Sequence, residues 1–163
     1  MNLYGLDPST LSRWSLLVLI VWYGLLFLSQ RNTVIKRLVT VLSVLLLTAS
    51  VYAIFQLTYL GRTPSDNHQF AFAAQYTNEF YREMFMNALL YYPLGLSLTV
   101  LIGPWSILVA FILSTSIETW QYFAGTGLAQ GTDVLMNTLG AAIGAIPWFV
   151  VRWIVRKQPP PNQ

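Results

Sequence analysis

The amino-acid sequence predicts an all-α, polytopic membrane protein, a bundle of about five transmembrane helices. Three observations lead there. The 163 residues are 55% hydrophobic and only 9% charged, against roughly 25% charged in an average soluble domain, so most of the surface suits lipid rather than water. Five apolar runs each approach the ~20 residues that cross a bilayer. Inside a bilayer no water satisfies a backbone N–H or C=O, and a helix satisfies both within one segment. The length suits one compact domain, expected over residues 1–158, with the Pro-rich end 159–163 as a disordered tail.

The first run, about 14–30 (WSLLVLIVWYGLLFLSQ), follows Asp7 and Pro8, contains Trp22 and Tyr23, and lacks a small-x-small cleavage site. It reads as a retained helix rather than a signal peptide. The second spans about 38–60 and the third about 84–102, the latter with Pro93 inside it. The fourth, about 104–124, follows a tight Gly103-Pro104 turn that puts proline at the first helical position, where its missing N–H costs nothing. The fifth, about 133–155, contains Pro147; both internal prolines are expected to kink their helices. The one sizeable loop, about 61–83, ends in a mixture of aromatic and charged residues. That part reads either as a short helix along the membrane interface or as an ordinary ordered loop.

Lysine and arginine in the loops set the orientation. With the amino terminus outside, the inner segments hold Arg31, Lys36, Arg37, Arg152, Arg156 and Lys157, and the outer ones Arg13, Arg62 and Arg82. Six against three favours the amino terminus outside and the carboxyl terminus inside. Trp120 and Tyr122 then fall near the outer surface, and Trp105, Trp148 and Trp153 toward the inner one, as an aromatic belt requires.

Several functions are excluded. Without cysteine there are no disulfides, thiolate metal sites or cysteine nucleophiles. The nine basic residues are scattered rather than gathered on one face, which argues against nucleic acid as a partner. No GxSxG, HExxH, P-loop or Rossmann fingerprint occurs. His68, the sole histidine, reads as a loop residue rather than a metal ligand.

The polar residues within the spans are the informative ones. Of six acidic residues, Glu118 lies inside a hydrophobic run and Asp133 just beyond the glycine-rich connection 125–132, GTGLAQGT. At ~1.5 Å rise per residue, Asn87, Glu118, Gln121, Asp133 and Asn137 share one depth, one to two turns below the outer surface. Glu118 and Gln121 are three apart and Asp133 and Asn137 four apart, so each pair shares a helix face. An ionisable residue costs about 2.5–3.5 kcal/mol at the centre of a span and therefore faces a cavity or a partner. These five residues form the expected ligand-binding set, with Glu118 and Asp133 as candidate catalytic acids or bases. Plainer readings stand beside it: Asp133 or Thr132 as the cap of the fifth helix, and Glu118 bonded to Asn137 as interhelical glue. Gly140 and Gly144 form a GxxxG with Ala141 and Ala145 beside them, read as a close-packing face.

Together, NALLYYPLG at 87–95, SIETWQ at 116–121 and TDVLMNTLG at 132–140 resemble the VanZ-like family, in order and spacing, over about 84–145. The family's characteristic positions fall on Asn87, Pro93, Gly95, Glu118, Gln121, Asp133, Asn137 and Gly140. Many members carry an arginine and two adjacent acids at the turn before the aspartate; here the turn has one acid and no arginine. The loop GRTPSD at 61–66 only loosely echoes the proline–aromatic element that often follows the second span in the family.

The resemblance implies a multi-pass protein of the bacterial cytoplasmic membrane and a link to teicoplanin-type glycopeptide resistance. It supplies no reaction. The expected function is an outer-leaflet polar pocket for an amphiphilic envelope ligand, a lipid-linked precursor or a lipoglycopeptide. The alternatives are an enzyme acting on an envelope lipid through Glu118 and Asp133, and a structural subunit packed against partner membrane subunits. No cofactor is evident; if a metal binds, two carboxylates and amide oxygens suit Mg²⁺, Mn²⁺ or Ca²⁺.

Overall fold

The computed structural model describes residues 8–59, 68–73 and 77–157. Five helices dominate: α1 (Pro8–Ser29), α2 (Thr33–Thr58), α3 (Asn78–Ile102), α4 (Trp105–Ala124) and α5 (Gly131–Arg156). Helices α2 to α5 are each long and apolar enough to cross a membrane, and Val18–Ser29 of α1 is likewise apolar. The chain divides into two compact units. One holds the middle, Thr40–Ile146; the other holds the described residues up to Val39 and from Pro147. The expected Pro-rich tail, 159–163, and the GRTPSD segment at 61–66 lie outside the described residues.

In the second unit, Asn32 starts α2: its Oδ1 accepts from the N–H groups of Val34 (2.9 Å) and Ile35 (3.2 Å), satisfying donors that a helix start leaves open. At the end of α5 the cations Arg152 and Lys157 sit over the rings of Trp148 (4.8 Å) and Trp153 (3.9 Å). Cations near a helix carboxyl end also complement its dipole.

In the middle unit α4 is largely polar on its buried face and apolar on its exposed one, the reverse of a helix in a soluble bundle. On α4 the buried positions are Ser106, Ala110, Ser114, Glu118 and Gln121, one stripe at spacings of four, four, four and three. The opposite face, with Val109, Phe111 and Ile112, is 41–54% exposed. In lipid this arrangement places large apolar side chains against hydrocarbon and polar ones against a partner. The core is Ile54, Tyr91, Leu94, Ala110 and Ala141.

Helices α3 and α5 meet backbone to backbone. A Cβ on Gly140 would collide with the Ala88 carbonyl, one on Gly95 with the Ala141 carbonyl, and one on Gly144 with the Tyr92 carbonyl. The GxxxG pair is therefore a close-packing face, and Gly95 on α3 is its counterpart. Helix α3 runs unbroken through Pro93, where the ring removes one N–H from the ladder.

The boundaries show three departures from expectation. Helix α3 begins at Asn78, capped by Thr77, whose hydroxyl accepts from Phe80 N–H at 3.2 Å. No separate interfacial helix precedes it among the described residues. Instead, Phe70–Ala71 (β1) pairs in parallel with Ala129–Gln130 (β2). Pro104 sits just before α4 rather than as its first residue, after Gly103 has turned the chain at φ 63°.

Candidate functional site

The site begins with the α4–α5 connection. Gly125 closes α4 in the left-handed region, φ 61° and ψ 26°, which glycine enters without a Cβ penalty. The chain then extends through β2, held to β1 by Ala129 N–H to the Gln69 carbonyl (3.1 Å) and Thr132 N–H to the Phe72 carbonyl (2.8 Å). This brings Gln130 back over α4, where its N–H donates to Glu118 Oε2 at 2.8 Å. Glu118 is only 7% exposed. This hydrogen bond comes from the backbone of β2, just before α5, while Asn137 bonds elsewhere.

Asn137 reaches a neighbouring position on the same α4 stripe, donating through Nδ2 to Ser114 Oγ at 2.8 Å. Tyr91, fully buried on α3, points its hydroxyl at this place. It lies beside Ser114 and within electrostatic reach of Glu118, but short of hydrogen-bond geometry with either. Tyr91 Oη and Asn137 Oδ1 are both buried without a hydrogen-bond partner among the described residues. Such orphaned groups cost roughly 1–3 kcal/mol each in a protein interior. Glu118, Ser114, Asn137 and Tyr91 thus form one buried polar cluster.

The other expected residues lie elsewhere. Gln121 is buried, with Nε2 at 3.5 Å from the Thr58 carbonyl at the end of α2. Asn87 lines a separate pocket of about 480 Å³ with Ser50, Thr58 and Pro93. Asp133 lies in the first turn of α5. Because α5 starts at Gly131, Asp133 is its third residue and not its cap; there a carboxylate complements the positive end of the helix dipole. His68, in the loop before β1, is exposed, and its Nδ1 meets the Tyr122 carbonyl at 2.8 Å. A carbonyl only accepts, so Nδ1 carries the proton in this contact. No group of three or more His, Cys, Asp or Glu side chains is gathered among the described residues.

Glu118 also lines a pocket of about 260 Å³, walled by Phe70, Tyr122, Ala129 and Val134 and floored by Thr115 and Thr119. Those two threonines are shared with an adjoining groove of about 460 Å³ that runs past Phe111, Ile112, Trp120 and Phe123 on the exposed face of α4. Both hydroxyls are spent on the helix itself, Thr115 Oγ1 donating to the Phe111 carbonyl (2.8 Å) and Thr119 Oγ1 to the Thr115 carbonyl (2.7 Å).

Reading the sequence alone misses Tyr91 and Ser114. The signal was spacing: Tyr91 is four residues after Asn87, and Ser114 four before Glu118, each on the face already marked as polar.

A helical chain with apolar outer faces and a buried polar cluster around one carboxylate defines a membrane-spanning protein. The sequence matches the VanZ/LLP1 family over residues 14–152, and the chain belongs to that family. No curated protein and no solved structure matches it.

Proposed function

We propose that this VanZ-family protein binds an amphiphilic cell-envelope ligand, a lipid-linked precursor or a lipoglycopeptide, at the outer leaflet of the bacterial cytoplasmic membrane, and that this binding underlies a role in glycopeptide resistance. The observation that carries the reading is a pair of neighbouring spaces on α4 that share Thr115 and Thr119 in their linings: a small pocket lined by Glu118 and an apolar groove past Phe111 and Ile112. An amphiphile has the same division, a polar head and an apolar tail. Family membership supports the link to glycopeptides, and the excess of basic residues in the inner segments supports the outward placement of Glu118. Binding is favoured over catalysis because Glu118 is engaged by Gln130 N–H, and the pocket lining offers no second carboxylate to share acid and base roles.

The test is teicoplanin and vancomycin susceptibility of a sensitive host making wild-type protein or Glu118→Gln at matched membrane levels. The expected result is protection by wild type that is lost in the variant. Equal protection by both would overturn the role of Glu118, and protection by neither would overturn the link to glycopeptides.

A further inference from the structure

We infer that the group entering the Glu118 pocket is an ammonium, carried on an alkyl chain; this rests on the amphiphile pocket reading above and narrows its ligand to one with a cationic head, away from a phosphate-linked precursor. Of the residues lining the pocket, Glu118 alone has an acidic or basic side chain, and two aromatic side chains, Phe70 and Tyr122, line it as well. A carboxylate with aromatic rings is the combination that recognises quaternary and primary ammonium groups, through charge and through the negative ring faces. A phosphate or carboxylate headgroup would meet the opposite pattern, an anion with no basic side chain in the lining.

The carboxylate is fixed in position by Gln130 N–H at 2.8 Å, so the site is held in place by the β1–β2 pairing rather than assembled by the ligand. At about 260 Å³ the pocket has room for a trimethylammonium head. The adjoining groove, lined by Phe111, Ile112 and Phe123, receives the chain.

The experiment uses the full chain in lipid nanodiscs and two photoreactive probes of equal alkyl length, one ending in trimethylammonium and one in a neutral hydroxyl, with labelled residues mapped by mass spectrometry. The ammonium probe is expected to label residues 111–134, to be displaced by excess dodecyltrimethylammonium and not by dodecanol, and to lose about tenfold or more of its labelling in Glu118→Gln. The side-chain amide introduced by Glu118→Gln still offers an oxygen to the Gln130 N–H, so the fold is retained. Phe70→Leu combined with Tyr122→Leu keeps the carboxylate and removes both rings; it is expected to weaken the ammonium probe several-fold while sparing the neutral one.

Equal labelling by both probes, unchanged in Glu118→Gln, would overturn the ammonium assignment while leaving an amphiphile site in place. Labelling of the pocket by neither probe would overturn both readings.

Discussion

Two seams of the middle unit solve different problems. The α3–α5 seam is built from absent side chains: Gly95, Gly140 and Gly144 let backbone touch backbone, and a single added carbon at any of them meets a carbonyl. The α4 stripe is built from polar side chains, Ser106, Ser114, Glu118 and Gln121, buried where a bilayer protein gains nothing from hydrophobic contact between helices. On the first seam, packing alone explains the glycines. On the second, Tyr91 Oη and Asn137 Oδ1 are left without hydrogen-bond partners among the described residues, and a carboxylate borders open space. Packing that is complete reports on architecture; polar groups that packing leaves incomplete report on use.

The comparison breaks most visibly at glycine. Gly140→Ala places a methyl group against the Ala88 backbone, which cannot move as a side chain can, and overpacking of this kind costs about 3 kcal/mol. Gly24→Ala is the matched control: its added methyl would meet nothing within 4 Å, and the better helix propensity of alanine is expected to stabilise by up to ~1 kcal/mol. Unfolding of both variants in mixed micelles checks the pair. Similar stability for the two would mean the α3–α5 seam is not tightly packed.

A smaller effect sharpens the other side. Tyr91→Phe removes a buried hydroxyl that has no partner among the described residues, so stability is expected to stay level or rise by up to ~1 kcal/mol. A loss of more than that in the same unfolding assay would show that the hydroxyl is bonded within the protein after all.

Much of this was legible in the residues. The apolar runs gave the helices because a bilayer permits little else, and the GxxxG gave the glycine seam. Other parts were hidden for physical reasons. The start of α3 was obscured because Asn78, Glu79 and Arg82 in its opening residues are polar and lie ahead of the hydrophobic run; only Thr77 as a cap marks it. The β1–β2 pair is two residues long on each side, too short for any alternation to register. Tyr91 and Ser114 fall inside the third and fourth apolar runs, and only their four-residue spacing from Asn87 and Glu118 sets them apart. Depth in the membrane was read from spacing, but depth does not fix direction: Gln121 turned toward α2 and Asn87 to a separate pocket, while Glu118 and Asn137 converged on the Ser114 cluster.

Under the proposed function, Glu118 is kept for a ligand and not for the fold. The most direct test of this claim is the unfolding of wild type and Glu118→Gln, each with and without dodecyltrimethylammonium at about a hundred times its dissociation constant for the wild type. A ligand bound only to the folded state at that excess stabilises by about 2.7 kcal/mol. The expected result is that increment in wild type, its loss in Glu118→Gln, and baseline stabilities of the two proteins within about 0.5 kcal/mol. A variant as unstable as Gly140→Ala, or one that keeps the full increment, would contradict it.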